Sequence, residues 1–102
     1  MTASEGHALS ALQIAKHGRD RYPTPKANAE KLVVEAAELL GALAEHANSR
    51  THRRNHELPD CILVRSELAD VGLCLYALGN KLGIDVIEVM RDLVDADARR
   101  FA

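Results

Sequence analysis

At 102 residues the chain is long enough for one compact domain and too short for two, because each half would fall near the lower limit of independent stability. Hydrophobic residues make up 47% of it but aromatic residues only 3%, so the core must be aliphatic and alanine-rich, a composition that suits packed helices better than a sandwich or barrel. Fifteen acidic residues against thirteen basic ones give a net charge of -2, which excludes the basic excess of a general nucleic-acid binder.

A first helix is predicted from about Gly6 to Gly18, carrying Leu9, Leu12 and Ile14 and stopped by the glycine. Arg19-Asp20-Arg21-Tyr22-Pro23-Thr24-Pro25 reads as a loop in which Thr24 caps the next helix and Pro25 occupies its first turn. The second helix is predicted to run to about Ala47. On a helical wheel, Ala29, Leu32, Val33, Ala36, Leu39, Leu40, Leu43 and Ala47 form its core-facing stripe. Asn48 to Leu58, with Arg50, His52, Arg53, Arg54 and His56, reads as an exposed or mobile connection; without interleaved aromatics it is a solvated loop rather than a nucleic-acid site.

A third helix is predicted from Pro59 or Asp60 to Leu82, where Gly83 supplies the left-handed stop. Its main stripe is Cys61, Val64, Leu68, Val71, Gly72, Leu75, Leu78, Gly79 and Leu82. Ile62, Leu63, Leu73, Cys74 and Tyr76 lie outside that stripe, so a lone bundle would leave apolar surface wet and a partner subunit is expected to cover it. Asp85 caps a fourth helix with Glu88 as its capping-box partner, and Val86, Val89, Met90, Leu93 and Val94 are expected to face inward as far as about Arg100. The expected fold is therefore all-α, a four-helix bundle-like single domain over residues 1–102.

No apolar run approaches the ~20 residues of a membrane span, and Met1-Thr2-Ala3-Ser4-Glu5 lacks the features of a signal peptide, so a cytoplasmic location without membrane partners is expected. Cys61 and Cys74, 13 residues apart, would lie roughly 20 Å apart on one helix and cannot pair within it. With no CxxC and no Cys/His cluster, buried free thiols are expected rather than a zinc or iron-sulfur site.

Two acidic pairs interrupt the apolar helices: Glu35-Ala36-Ala37-Glu38 and Glu67-Leu68-Ala69-Asp70. Spacing of three returns each pair to one helix face, with Cβ atoms ~5–6 Å apart. Packed antiparallel through their stripes, the two helices bring four carboxylates together. Such a cluster is tolerable only if cations neutralise it or some members stay protonated. Hard oxygen ligands select magnesium or manganese, and magnesium in turn holds substrate phosphates, which makes a metal-dependent phosphate reaction the natural chemistry. Acidic pairs of this spacing also occur on plain solvated helix faces.

The run Glu30-Lys31-Leu32-Val33-Val34-Glu35-Ala36-Ala37-Glu38-Leu39, then Ser66-Glu67-Leu68-Ala69-Asp70-Val71 and Asn80-Lys81-Leu82-Gly83-Ile84-Asp85, resembles the MazG-like all-α nucleoside triphosphate pyrophosphohydrolases, which include the dCTP pyrophosphatases. The likeness covers Leu12 to Phe101, with a spacer of 28 residues from Leu39 to Ser66, towards the long end for the family. It implies hydrolysis of a nucleoside triphosphate between the α- and β-phosphates, with Glu35, Glu38, Glu67 and Asp70 as magnesium ligands and Glu38 as the base that takes the proton of the attacking water. Val34 stands where many members have a third acid. Leu93 and Asp97 stand where the family often has Lys and Asn before Arg99-Arg100-Phe101, and an Asp cannot donate to phosphate as Asn does.

A compensating cation is therefore expected among Arg100, Arg99, Lys31 and Lys81, with Arg100 the first choice, although paired arginines at a helix end also serve as dipole complements. His17, Lys16, Tyr22 and Lys26 are candidates for the wall of a nucleotide pocket or are ordinary surface. The resulting expectation is a pyrophosphohydrolase that clears non-standard or surplus deoxynucleotides and assembles as a homodimer or dimer of dimers. Its rivals are a non-catalytic helical module for metal or nucleotide sensing or assembly, and a phosphoribosyl-ATP pyrophosphohydrolase-like enzyme.

Overall fold

The computed structural model describes residues 3–48 and 62–100. Four helices follow in order: α1 (Ala3–Lys16), α2 (Pro25–Asn48), α3 (Ile62–Leu82) and α4 (Val86–Arg100), and the described residues include no strand. The stops and caps follow local chemistry. Gly18 and Gly83 take positive φ of 77° and 67°, conformations that cost other residues a Cβ clash. After α3, Ile84 N–H reaches Gly79 O at 2.9 Å and Gly83 N–H reaches Asn80 O at 3.4 Å, the two bonds of a Schellman ending. Thr24 Oγ1 accepts from Ala27 N–H at 3.1 Å to cap α2, and Asp85 Oδ1 accepts from Glu88 N–H at 3.0 Å to cap α4. Helix α1 starts three residues before the expected Gly6, with Glu5 in its first turn favoured by the helix dipole. The expected start of the third helix, Cys61, and nearly all of the Asn48 to Leu58 connection lie outside the described residues.

Helix α3 is the hub. Helix α2 packs along it most extensively and α1 covers a second face, while α4 meets α1 and α3 only thinly and, among the described residues, does not meet α2. Lys31 and Glu35 stand beside Cys74, whereas Glu38 stands beside Glu67, so α2 and α3 run antiparallel.

The apolar stripes are only partly used. The buried apolar side chains are Ala42, Val64, Ala77 and Val86. Leu73, Cys74 and Tyr76, read from the wheel as lying outside the α3 stripe, are half-buried, while Leu68, read as part of it, is exposed. The reversal arises because α3 turns one face to α1 and another to α2, so no single stripe describes its packing. On α2, Val33 and Leu40 are 69% and 68% exposed. The largest departure is α4: Val86 is buried, but Val89, Met90, Leu93 and Val94 are all exposed, against the expectation that they face inward. A wheel identifies an apolar face but not the element it meets, and α4 leaves the body after its first turn.

That first turn is fastened by a polar junction. Val86 N–H donates to His7 Nε2 at 3.1 Å. A nitrogen that accepts there must be unprotonated, so Nδ1 carries the ring proton and donates to Asn80 Oδ1 at 2.7 Å. Asn80 Nδ2 returns a bond to His7 O at 3.1 Å, and Tyr76 meets the imidazole edge-to-face at a centroid distance of 4.9 Å. Gly79 makes the crossing possible: a Cβ there would lie 2.7 Å from Val86 Cγ2, 2.9 Å from His7 Cε1 and 3.0 Å from Ile84 O.

Candidate metal centre

Glu35 and Glu38 lie one turn apart on α2 and Glu67 faces them from α3. Carboxylate oxygens of the three approach within 4.8 Å of one another, in the order buried, exposed and half-buried. Glu35, only 5% exposed, is the anchor. Its Oε1 pairs with the Lys31 ammonium one turn earlier, while its Oε2 and Glu67 Oε2 are buried without a hydrogen-bond partner. Two ionised carboxylates offer each other no donor, so they repel at close range. A side-chain hydrogen bond to Glu35 and the Glu35 charge, reinforced by Glu67 and eased by Lys31, push the Glu38 carboxyl above the usual carboxylate range.

Beside this group lies a cavity of about 240 Å³, enclosed by α1, the α1–α2 loop, α2 and α3. Its wall includes Glu35, Lys31, Tyr22, His17, Asp70 and Arg21. The loop is pinned at both ends. Asp20 accepts from Tyr22 N–H at 3.0 Å and pairs with Lys81 of α3, and Lys81 in turn holds the Asp20 carboxyl below its ordinary range. At the other end, Asn28 is buried and donates through Nδ2 to Tyr22 O and to Thr24 O. Cys74, a free thiol, also lines the cavity, where burial and the neighbouring Glu35 raise its pKa and keep it protonated.

The sequence candidates thus separate. Glu35, Glu38 and Glu67 come together; Asp70, one turn along α3, lines the cavity. Lys31 and His17 lie on the cavity wall, whereas Lys81 is engaged with Asp20 and Lys26 is an exposed partner of Glu30 at 3.8 Å. Arg99 and Arg100 sit at the exposed far end of α4, and no α4 residue lines the cavity. Arg19, Arg21 and Asn28 are cavity residues not singled out from the sequence. Their signals were a basic-acidic-basic triplet inside a loop and a lone amide one turn into an apolar helix.

The two orphaned buried oxygens test the fit to a divalent cation. A buried carboxylate oxygen without a donor is costly, and a hard cation is the partner its chemistry selects. The donor set, carboxylate oxygens from two helices, suits magnesium or manganese rather than a softer metal. Neither a protein-family model nor a curated protein matches the chain. No helix among the described residues is long and apolar enough to cross a membrane.

Proposed function

We propose that the chain is a magnesium-dependent nucleoside triphosphate pyrophosphohydrolase, yielding a nucleoside monophosphate and pyrophosphate and serving nucleotide-pool clean-up. The observation that carries the reading is the convergence of Glu35, Glu38 and Glu67, with two of their buried oxygens lacking partners, at the edge of a cavity walled by cationic and aromatic side chains. The same motif residues carry the resemblance to the MazG-like family.

In this reading Glu35, Glu38 and Glu67 hold magnesium or manganese, with Asp70 completing the set from the cavity wall. When bound, the metal neutralises phosphate charge and lowers the pKa of a water. Glu38, the most open of the three, takes the proton of the attacking water. Tyr22 gives the cavity an aromatic face for a base, and Arg19 and Arg21 offer guanidinium groups to phosphate oxygens. The pinned loop keeps these groups in register with Glu35.

Self-association belongs to the same proposal. Val89, Met90, Leu93 and Val94 of α4 are exposed, as are Leu9 and Leu12 of α1, which border an apolar groove with Gly72 and Tyr76, and exposed apolar surface of this kind favours self-association. A homodimer or dimer of dimers is expected in sedimentation at micromolar concentration, and a stable 11.1 kDa monomer would contradict it.

A panel of nucleoside triphosphates with magnesium, scored for pyrophosphate against orthophosphate, tests the activity. Release of orthophosphate alone, or no turnover with any member, overturns it; a response confined to phosphoribosyl-ATP would move the enzyme to that related reaction. One observation favours a sensing or assembly module instead: the Arg99-Arg100 pair lies away from the cavity, and Leu93 and Asp97 offer no phosphate donor. Metal binding without turnover would be its signature.

A further inference from the structure

Lys31 stands between two partners. Its ammonium is paired with Glu35 Oε1, and it also lies 5.6 Å from the centroid of the Tyr22 ring across the cavity. The side chain is about one-third exposed, so it has room to move, whereas Glu35 is fixed in the α2–α3 seam. An ammonium on a flexible four-carbon stem can exchange one partner for the other without a change in the backbone. Glu35 Oε2, buried and without a partner, marks the same carboxylate as the place where a further cation is called for.

We propose that Lys31 is a built-in counter-cation of the acidic cluster. In the metal-free chain it neutralises Glu35; when a divalent cation is held by the cluster, Lys31 gives up Glu35 and turns to the Tyr22 side of the cavity, where it faces an anionic substrate. The inference rests on the metal-binding part of the proposed function. Its physical basis is cation competition: an ammonium on Glu35 repels a divalent ion brought to the same carboxylate, so part of the affinity for metal is spent on moving it. The freed ammonium then adds positive charge to the cavity, so metal and nucleotide each favour binding of the other.

The test is a manganese titration of the full nucleotide-free chain, followed by electron paramagnetic resonance and by calorimetry. Lys31→Met, which keeps the stem and removes the charge, is expected to bind manganese about tenfold more tightly than the wild type while its nucleotide KM rises. Arg91→Met, on an exposed face of α4, removes one positive charge elsewhere and is expected to leave manganese affinity unchanged. Equal or weaker binding in Lys31→Met, or equal tightening in Arg91→Met, overturns the proposal. Should Lys31→Met fold poorly, the wild type supplies a second measurement: the Lys31 ammonium resonance is expected to shift on adding magnesium, and a stationary resonance at metal saturation overturns it too. A wild type that binds no metal would instead bring down the proposed function, a distinguishable result.

Discussion

Helix α3 carries a polar cluster towards each end, and the two are built on opposite terms. At Gly79-Asn80, acceptors meet donors: His7 takes Val86 N–H on one nitrogen and gives a proton to Asn80 with the other, and Asn80 answers the backbone of α1. At Glu67, like charges face one another and two buried oxygens have no donor. The first arrangement stabilises a junction between three helices. The second sets like charges at close range, which lowers stability where no cation neutralises them.

The sharpest way to break this contrast is to neutralise one member of each cluster. Glu67→Gln keeps the shape and removes the charge; magnesium-dependent turnover is expected to fall at least about a hundredfold while the metal-free melting temperature stays level or rises. Unchanged turnover would remove the carboxylates from catalysis. At the other cluster the effect should fall on stability. Gly79→Ala drives a Cβ against Val86, His7 and the Ile84 carbonyl and is expected to cost about 2–3 kcal/mol in chemical denaturation. His7→Ala leaves Val86 N–H and Asn80 without their partner and is expected to cost about 2 kcal/mol, with turnover per folded molecule retained.

Acid separates the clusters more gently. Glu35 holds the Glu38 carboxyl above its ordinary range, so the folded chain binds that proton more tightly than the unfolded chain does. Its contribution therefore grows as pH falls through the raised value and is absent above it. Asp20 runs the other way: held low by Lys81, it contributes above the ordinary aspartate range and loses that contribution only at more acid pH. Calorimetry without metal is expected to find a Glu38-dependent gain in melting temperature as pH falls through the raised value, reduced in Glu38→Gln and intact in Asp20→Asn. The smallest effect belongs to Asp20→Asn itself at neutral pH, below about 1 kcal/mol, because its pair with Lys81 is part-exposed.

How much of this was legible in the sequence differed by element. Helices and their stops were readable because Gly18, Thr24, Gly83 and Asp85 act on their immediate neighbours. The meeting of Glu35, Glu38 and Glu67 was readable because helical spacing fixes which side chains share a face. Partnership across helices was not. Lys81 belongs to Asp20, 61 residues away, and His7 to Asn80, 73 residues away, and neither separation carries a periodic signal. The exposure of Leu93 and Val94 was hidden for a related reason: their spacing matches a buried face, and only the direction in which α4 leaves Gly83 decides whether a face finds a neighbour. Arg19 and Arg21 went unweighted because a loop has no wheel.

The placement of the tyrosines has a practical consequence. The chain has no Trp and two Tyr, so its intrinsic near-ultraviolet signal comes mainly from Tyr22 and Tyr76. One lines the cavity under Lys31 and the other sits on His7, with its ring where a Cβ on Gly6 would lie, 2.4 Å from Tyr76 Cζ. A Tyr22→Phe chain leaves a spectrum that reports the α1–α3 contact, and a Tyr76→Phe chain leaves one that reports the cavity. Filling of the cavity and loosening of the fold can thus be followed as separate optical events, without attaching a dye to either region.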